Sequence, residues 1–269
     1  MPVSEPSSLR SDSRPRPRAT LYSAAVVLRT RDYGESDKIV TFLSRDFGKL
    51  TGIAKGALRS RRRFVGSLEP LTTVRLGFRE RSASDLCFVE SAEILRSPRN
   101  VGRDLDRYAY STYVIELLDC MVEGREAEPA VFELAEETLS WLDATAAGPP
   151  APETLRYFET RLLGLAGFSP RLGACVSCGA ATDVEGTRFY FNPRSGSLRC
   201  DRCGDGSGVP ASTAALAAIG RLRERPLAEV RASTEASAGE VRVLLQTFIA
   251  HHARRPLRSP ALLREIIGL

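Results

Sequence analysis

The sequence predicts an α+β protein in which a small five-stranded barrel precedes a helical domain with an inserted four-cysteine module. Three observations predict this class. Short β-prone runs broken by glycines fill residues 21–97, and after Pro98 the apolar period changes from two to about 3.6 residues. Two Cys-x-x-Cys pairs then interrupt the helical pattern. The predicted segments are an arm at 1–20, the barrel at 21–97, a first helical part at 98–172, the cysteine module at 173–206 and a second helical part at 207–269.

Length and composition are those of a globular protein. With 269 residues, of which 43% are apolar, the chain can bury one large core or two to three small ones. No stretch approaches the roughly 18 consecutive apolar residues of a membrane span, and residues 1–20 lack the apolar segment of a secretory signal. We therefore expect a cytoplasmic protein with no membrane contact.

Positive charge is concentrated in the N-terminal third of the chain. Residues 1–81 carry 17 Lys and Arg against 8 Asp and Glu, whereas the whole chain has a net charge of +5, so the remainder is negative. Residues 1–20 are rich in Pro and Ser and have little to bury, which predicts a disordered basic arm with Arg10, Arg14, Arg16 and Arg18. Such a field attracts polyanions, and nucleic acid is the partner that it favours.

Five β-prone runs follow the arm. They are rich in Val, Ile, Thr and Phe, are broken by glycines, and cover residues 21–30, 37–44, 49–55, 71–79 and 85–95. Five short strands in about 75 residues predict a small barrel. We predict an OB-fold, the five-stranded barrel that binds oligonucleotides, although an SH3-like barrel would produce much the same pattern.

Three apolar stripes at helical spacing follow the barrel. The first stripe consists of Leu105, Tyr108, Ala109, Tyr113, Leu117 and Met121. The second consists of Val131, Leu134, Ala135, Thr138, Leu139 and Leu142. The third consists of Leu155, Phe158, Leu162, Leu165 and Ala166. Gly148 and its neighbouring prolines predict a loop at 146–152, between the second and third helices.

Two more helices are predicted after the cysteine module. Ser237 and Glu240 match a capping box ahead of an apolar run, which indicates a helix start. Ser259 and Pro260 start a last short helix, which Gly268 can end. The helices on the two sides of the module are expected to pack together, because neither set can bury its apolar stripe alone.

The strongest chemical signal is a set of four cysteines. The two Cys-x-x-Cys pairs have 21 residues between them, close to the spacing of zinc ribbons, and their members are Cys175, Cys178, Cys200 and Cys203. Four sulfurs at about 2.3 Å complete a tetrahedron without an open position, so we expect one structural Zn²⁺. A redox dithiol is the competing interpretation, but that motif is expected once and near a βαβ pattern. Cys87 and Cys120, outside the pairs, are predicted to be small buried apolar side chains.

The second signal is a run of cations across a predicted strand end and loop. Besides the four arginines of the arm, the candidate DNA-binding residues are Arg29, Arg31, Lys38, Lys49, Lys55, Arg59, Arg61, Arg62, Arg63 and Phe64. Cations at this density can follow a phosphate backbone, and an exposed Phe64 or Tyr33 can stack on an unpaired base. Two alternatives stay open, a solvated charged loop and Phe64 as a side chain of the barrel core.

Nothing in the sequence predicts catalysis. The two histidines, His251 and His252, are adjacent at a predicted helix end, where they are expected to contact the last carbonyl groups. No Ser or Cys lies in a nucleophile motif, and the segment at 47–51 lacks the earlier glycine and the hydroxyl of a phosphate loop. We therefore expect no catalytic residue, no nucleotide binding and no enzyme activity.

The first part of the barrel carries a family signature. The stretch from Val26 to Val40, VVLRTRDYGESDKIV, resembles the opening signature of the bacterial recombination and repair protein RecO family. Further matches follow in the family's order, at 48–50, 54–57, 68–71, the four cysteines and 254–259. The resemblance covers nearly the whole chain after residue 20.

This resemblance implies an OB-fold domain, a helical domain and a zinc-binding module. It also implies binding of single- and double-stranded DNA, annealing of complementary strands without ATP, and help in loading the RecA recombinase. RecR is the implied partner, with single-strand-binding protein as a further one, and the location would be the nucleoid. From the residues alone two other functions stay open, an RNA-binding OB protein and a zinc-ribbon adaptor that binds only protein.

Overall fold

The computed structural model describes residues 19–81, 85–144, 150–183, 187–230 and 235–268. Its N-terminal part is a closed barrel with strands β1 (Leu21–Tyr33), β2 (Asp37–Ser44), β3 (Gly48–Ala54), β4 (Thr73–Arg79) and β5 (Leu86–Arg96). Each strand begins within two residues of its predicted start. The order around the barrel is β1-β2-β3-β5-β4, and of these pairs β3–β5 alone is parallel. This Greek-key order is that of the OB-fold, so the predicted OB-fold barrel is confirmed.

Strand β1 serves two cores because it is buried on both faces. Ala25 and Val27 belong to the barrel core, whereas Val26 and Leu28 belong to the core that the helices build. A β-bulge between Val27 and Arg29 shifts the register against β2 and bends the strand. The barrel and the helices are therefore packed on a shared strand.

Six helices lie in the described part of the chain. They are α1 (Leu105–Met121), α2 (Pro129–Asp143), α3 (Glu153–Leu165), α4 (Thr213–Glu224), α5 (Glu235–His252) and α6 (Ser259–Ile267). The Asp104 side chain accepts a hydrogen bond from the Arg107 amide at 3.1 Å, which satisfies one free N–H in the first turn of α1. α1 packs against α2, α3 and α6, so the helices on the two sides of the cysteine module share one core, as predicted.

The predicted stripes agree with the structure to different degrees. The stripe on α2 is confirmed, since all its members are buried. The stripe on α1 is partly wrong, because Leu105 and Tyr108 are 69% and 47% exposed. α1 has neighbours on several sides, so its buried surface spreads to Tyr110 and Val114, which a single stripe does not include. Leu165, in the last turn of α3, is also exposed and not buried as predicted.

The last helix starts and ends where the sequence predicts. α6 begins at Ser259 with Pro260 in its first turn, where the missing N–H of proline has no intrahelical partner to lose. Gly268 ends the helix with a φ of 69°, a conformation that costs glycine little. The loop predicted at 146–152 includes residues that lie outside the described ranges.

The capping box predicted at Ser237 and Glu240 does not start a helix. α5 already begins at Glu235, so both residues lie within it. Glu240 instead accepts a hydrogen bond from the amide of Ser212, at 3.1 Å. Because Ser212 is the N-cap of α4, this contact ties α5 to the start of the neighbouring helix.

The cysteine module is a four-stranded sheet. Its strands are β6 (Arg171–Cys175), β7 (Phe189–Asn192), β8 (Ser197–Cys200) and β9 (Val209–Ala211), in the order β6-β8-β7-β9. Phe189 and Leu198 are buried and belong to the same core as the helices. Phe191 meets Phe248 of α5 edge to face, with ring centres 5.6 Å apart. The module therefore packs against the helical domain, and the segment boundaries at 97, 172 and 206 remain predictions.

Two smaller features complete the fold. Cys87 and Cys120 are buried, as predicted. Gly52 of β3 faces Cys87 so closely that a Cβ there would lie 2.8 Å from the sulfur, which explains a glycine at this strand position. Among the residues that the structure describes, no helix is both long and apolar enough to cross a membrane.

Candidate metal centre and nucleic-acid interface

The two Cys-x-x-Cys pairs converge on one point of the module. Cys175 ends β6 and Cys200 ends β8, which are neighbouring strands, and a tight turn after each carries the second cysteine of the pair. The amides of Gly179 and Gly204 close these turns with hydrogen bonds of 2.9 and 3.0 Å to the carbonyl oxygens of the first cysteines. Gly179 has a φ of 74°, which favours glycine. As a result, all four Sγ atoms lie within 4.8 Å of one another.

The geometry of the sulfur cluster fits a tetrahedral metal ion. Four sulfurs at about 2.3 Å from one ion are about 3.8 Å apart, and Cys178 Sγ lies 3.7 Å from Cys200 Sγ. The Cys200 amide donates to Cys175 Sγ, and together with the amides of Cys178 and Ser177 it lowers the pKa of the Cys175 thiol to about 6. Hydrogen bonds with the Cys178 and Cys200 sulfurs raise the pKa of Cys203 to about 12. A cation at the centre favours ionisation of every thiol, so the four cysteines can hold one metal ion.

Exposed cations surround one end of the barrel. We call them the basic rim, and they are Arg31, Lys55, Arg59, Arg61, Arg62, Arg63 and Arg81. The Leu58 amide donates to the Ser36 carbonyl at 2.9 Å, which joins the β3–β4 segment to the β1–β2 turn. Lys55 Nζ and Arg81 Cζ lie 5.4 and 4.8 Å from the centre of the Phe88 ring, which joins the same segment to β5. Three parts of the chain thus contribute to one cationic surface.

Most of the charge on the basic rim has no acidic partner. Within the described ranges, no carboxylate lies at ion-pair distance from Arg31, Arg61 or Arg62. Arg59 has a partner in Glu35, at 3.9 Å, but both side chains are largely exposed, and an exposed pair contributes only about 0–1 kcal/mol. The rim therefore presents a net positive surface to solvent.

The Phe64 ring lies next to the basic rim but is not exposed to solvent. It is 5% exposed and belongs to the barrel core. The Arg63 guanidinium lies over this ring, 4.5 Å from its centre, and donates to the Lys55 carbonyl. The stacking interpretation of Phe64 is corrected accordingly, because a ring packed in the core cannot meet a base. Tyr33, at the end of β1, is 52% exposed and remains accessible.

Two residues at the basic rim, Arg81 and Phe88, were not among the candidates predicted from the sequence. Arg81 follows β4, and OB-folds use the connection between the fourth and fifth strands for binding, so its position was an available signal. Phe88 has the sequence character of an ordinary strand residue. Only its contacts with Lys55 and Arg81 distinguish it, and these depend on the closed barrel.

Several predicted cations lie away from the basic rim or beyond the described ranges. The four arginines of the arm, Arg10, Arg14, Arg16 and Arg18, fall outside the described residues. Lys38 is mostly buried and pairs with Glu69 at 3.1 Å. Arg29 and Lys49 lie where the barrel meets α1. The structure therefore divides the described cations of the predicted DNA-binding set between the rim, this junction and the Lys38–Glu69 pair.

The junction between barrel and helices is built around Asp119, whose side chain is 8% exposed. Lys49 Nζ lies 3.4 Å from its carboxylate and donates to its main-chain carbonyl at 2.7 Å. Arg255 and Arg29 approach the same carboxylate at 2.9 and 3.6 Å. Lys49 is thus held inside the junction and is not part of an exposed DNA-binding face, because its charge is needed to neutralise a buried acid. Desolvation lowers the pKa of Lys49, and Asp119 opposes that effect.

The segment at 254–259 forms hydrogen bonds with the C-terminal part of α1 and with the residue that follows it. The Arg254 guanidinium donates to the carbonyl oxygens of Cys120 and Val122, at 3.3 and 3.0 Å, which the end of the helix leaves free. Glu116 accepts hydrogen bonds from the amides of Arg258 and Ser259 at 3.1 and 2.8 Å. The segment at 254–259, which is part of the family resemblance, therefore has a structural role in holding the chain against α1.

The histidines pack against aromatic rings. The His252 ring lies 4.4 Å from the Phe248 ring and 5.0 Å from the Phe168 ring, centre to centre. Burial, followed by the nearby His251, lowers the pKa of His252, and the main chain of Pro193 opposes that shift. The described contacts of His252 are therefore with aromatic rings, and the predicted contact with the last carbonyl groups of its helix stays a prediction.

Asp119→Asn is expected to destabilise the protein by about 3 kcal/mol at neutral pH, since it leaves buried cations without a counter-charge. Burial raises the pKa of Asp119, but Lys49, Arg255 and Arg29 outweigh it, and the net shift is downward. A carboxylate with a lowered folded-state pKa contributes stability above its unfolded pKa of about 4 and loses it as the pH falls through the folded value. Urea unfolding from pH 7 to pH 3 checks this.

The difference in free energy of unfolding between wild type and Asp119→Asn should shrink towards pH 3. Glu265→Gln is the matched control, because Glu265 is exposed on α6 and makes no ion pair with a described residue. It should stay within about 0.5 kcal/mol of wild type throughout. A constant gap between Asp119→Asn and wild type at every pH would contradict the assigned role of the carboxylate.

The fold and the two sites together define a class of protein. It is an OB-fold protein with a cationic barrel end, packed on a helical domain whose four-cysteine module can hold a metal ion. The family model for the N-terminal part of recombination protein O matches residues 20–98, and the model for its C-terminal part matches residues 102–261. The chain therefore belongs to the RecO family, as its resemblance predicts, and its role lies in DNA repair and recombination.

Curated relatives support the same assignment. The chain is 42% identical over 245 residues to the DNA repair protein RecO of Anaeromyxobacter sp. (strain Fw109-5), which covers 90% of this chain and 94% of that protein. It is 36% identical over 244 residues to the DNA repair protein RecO of Myxococcus xanthus (strain DK1622), with 90% and 96% covered. The protein of the same name from Syntrophus aciditrophicus (strain SB) is 33% identical over 255 residues, with 93% and 97% covered.

Proposed function

We propose that this chain is a DNA-binding recombination mediator without enzyme activity. It binds single- and double-stranded DNA, anneals complementary strands without ATP, and helps load RecA together with RecR. The observation that carries the proposal is the basic rim, a cluster of exposed cations at the end of an OB barrel with few acidic partners. Membership of the RecO family supports the same role.

The chemistry of the rim suits annealing better than sequence recognition. An annealing factor has to neutralise the phosphates of two strands while their bases stay free to pair, and phosphate contacts carry no sequence information. Guanidinium groups bind phosphate oxygens with two parallel hydrogen bonds and are the main cations of the rim. Tyr33 offers one exposed ring on which an unpaired base can stack.

The metal and the partners complete the proposal. One structural Zn²⁺ is held by Cys175, Cys178, Cys200 and Cys203, because four thiolates leave no position for water or substrate. When bound, the ion supplies stability to the module and no chemistry. RecR is the direct partner, single-strand-binding protein is a further one, and the protein acts in the cytoplasm at the nucleoid. These assignments rest on the family and stay proposals.

The proposed function is tested by annealing two complementary oligonucleotides across a salt series without ATP. We expect annealing that weakens as the salt concentration rises, because each phosphate contact releases counterions. A variant that lacks residues 1–20 measures the contribution of the arm. Tight DNA binding without annealing would contradict the mediator role, and stronger binding to RNA than to DNA would favour an RNA-binding protein instead.

Charge reversal of Arg61, Arg62 and Arg63 to glutamate is expected to weaken DNA binding and to make it less salt-dependent. Each lost contact removes a slope of about 0.9 in the logarithmic plot of affinity against salt for duplex DNA. Fluorescence anisotropy of labelled duplex at several salt concentrations gives the slope directly. Loss of about two to three units is the expected result if all three arginines meet phosphates.

The matched control reverses three exposed arginines elsewhere, Arg103, Arg188 and Arg221, and so changes the net charge equally. It should leave the slope close to that of wild type. An equal loss in both variants would mean that net charge, and not the rim, governs binding. Unchanged affinity and slope in the Arg61–Arg63 variant would exclude the rim as the DNA-binding face.

A further inference from the structure

A second cationic surface lies where the barrel meets the helices. Here β1, α1 and α6 border a groove of about 530 Å³, which we call the junction groove, and its lining includes Leu28, Arg29, Ile115, Arg255, Arg258 and Leu262. Apolar groups make up more of the accessible lining than polar ones, and the charged groups of the lining are three arginines and two acids. The groove shares no lining residue with the basic rim or with the four-cysteine cluster.

Three arginines present their charge to this groove. The Arg29 and Arg255 side chains are 59% and 42% exposed although each contacts Asp119. The Arg258 side chain is exposed and has no carboxylate at ion-pair distance among the described residues. The acids beneath them, Asp119 and Glu116, are 8% and 13% exposed. The surface that an incoming group meets is therefore positive.

The two buried acids hold the arginines in place and do not repel an anion. Glu116 is occupied by the amides of Arg258 and Ser259 and by the Ser259 hydroxyl, in addition to Arg255. Asp119 is occupied by Lys49 and Arg255. A guanidinium that is fixed on one edge by a carboxylate keeps its other N–H groups for a second partner, and phosphate oxygens match that fork.

The junction groove is continuous with the basic rim along β1. Arg29 and Arg31 are two residues apart and both are exposed, so they lie on the same face of the strand, about 6.6 Å from each other. Arg31 belongs to the rim, and Arg29 lines the groove. One line of cations therefore runs from the end of the barrel to the start of α6.

We propose that the junction groove is a second phosphate-binding site, which holds the backbone of a single nucleic-acid strand that passes from Arg31 over Arg29 to Arg255 and Arg258. This inference rests on the proposed function and extends it with a path for the strand. The groove has the volume of a small-molecule pocket and accommodates about one or two nucleotides. We expect this site to favour single strands, whose phosphates can follow a line of cations, over double strands.

The test is the double variant Arg29→Gln with Arg258→Gln, which removes two charges from the groove and keeps Arg255 in the junction. Single-stranded oligonucleotides shorter and longer than the roughly 4–16 nucleotides that one OB-fold covers are titrated at several salt concentrations. We expect about tenfold weaker binding of the longer strands, a salt slope lower by about 1.4, and little change for the shortest strands and for duplex.

Two further variants make the result specific. Arg103→Gln with Arg264→Gln removes two exposed arginines that do not line the groove, and it should bind like wild type. Arg258→Gln alone, whose side chain has no ion pair to lose in the described structure, should show about half the loss of slope. Thermal unfolding of all variants confirms that the fold is retained.

The outcomes separate this inference from the proposed function. If the double variant binds long single strands like wild type while the Arg61–Arg63 variant does not, the junction groove is not a nucleic-acid site and the proposed function stands. If neither variant changes binding, both proposals fail. Equal weakening of short strands, long strands and duplex would also overturn the inference, because it would show a general loss of charge attraction.

Discussion

Replacing Cys175 and Cys200 by serine is expected to abolish metal binding and to unfold the cysteine module. The two cysteines are 2% and 0% exposed and belong to the core that the module shares with the helices. Structural zinc sites contribute about 10–16 kcal/mol of apparent binding free energy, so we expect loss of a bound ion to destabilise the sheet. Zinc content per chain and resistance to proteolysis at 180–210 measure the two effects.

The barrel is expected to survive this change, because it has a core of its own around Phe42, Leu50 and Phe78. We therefore expect the DNA affinity of the basic rim to change little, although the free energy of unfolding of the protein falls. Cys87→Ala and Cys120→Ala are the matched controls, since both remove a buried thiol outside the sulfur cluster and should leave the zinc content unchanged. Full stability of the wild-type protein after treatment with a chelator would refute the structural role of the metal.

Glu159→Ala is expected to lower the free energy of unfolding by about 3–5 kcal/mol. Glu159 is fully buried in the helical core, where its carboxylate forms an ion pair with Arg156 at 2.8 Å and accepts a hydrogen bond from the Tyr113 hydroxyl. Burial raises the pKa of Glu159, and Arg156 opposes that shift. Without the carboxylate, the Arg156 side chain, itself 8% exposed, is left without this counter-charge. Urea unfolding at neutral pH measures the loss.

A second tyrosine–glutamate pair, between α2 and α3, provides the control. Glu137 accepts a hydrogen bond from the Tyr157 hydroxyl at 3.0 Å, but its side chain is exposed. Glu137→Ala should therefore cost no more than about 1 kcal/mol. Glu159→Gln keeps an acceptor for Tyr113 and should be less destabilising than Glu159→Ala. Equal effects at Glu159 and Glu137 would mean that the buried network does not hold α3 to α1.

The barrel and the four-cysteine cluster were predictable because their signals are local. Strand starts follow from alternation and from glycines within about ten residues, and all five agree with the structure to within two residues. Each Cys-x-x-Cys pair needs only one tight turn, and Gly179 and Gly204 follow directly in the sequence. The RecO family signature likewise lies in one continuous stretch at 26–40.

The roles of individual side chains at the candidate DNA-binding surface were less predictable. Lys49 and Phe64 belong to the same cationic run, but Lys49 neutralises Asp119, 70 residues further along the chain. Phe64 fills the barrel core. Conversely, Arg81 belongs to the rim because its guanidinium lies over the ring of Phe88, a residue of β5. The local sequence pattern does not predict any of these contacts, because each partner comes from a distant part of the sequence.

By itself the sequence determined the fold class, the strand positions, the four cysteines, the basic character of the barrel and the family. Tertiary structure alone decided which cations face solvent, which face of α1 is buried, and that Leu71 adopts a φ of 72° beside the shared strand. The physical reason is that hydrophobic period and turn chemistry act over a few residues. Burial and charge pairing depend instead on which distant segments the folded chain brings into contact.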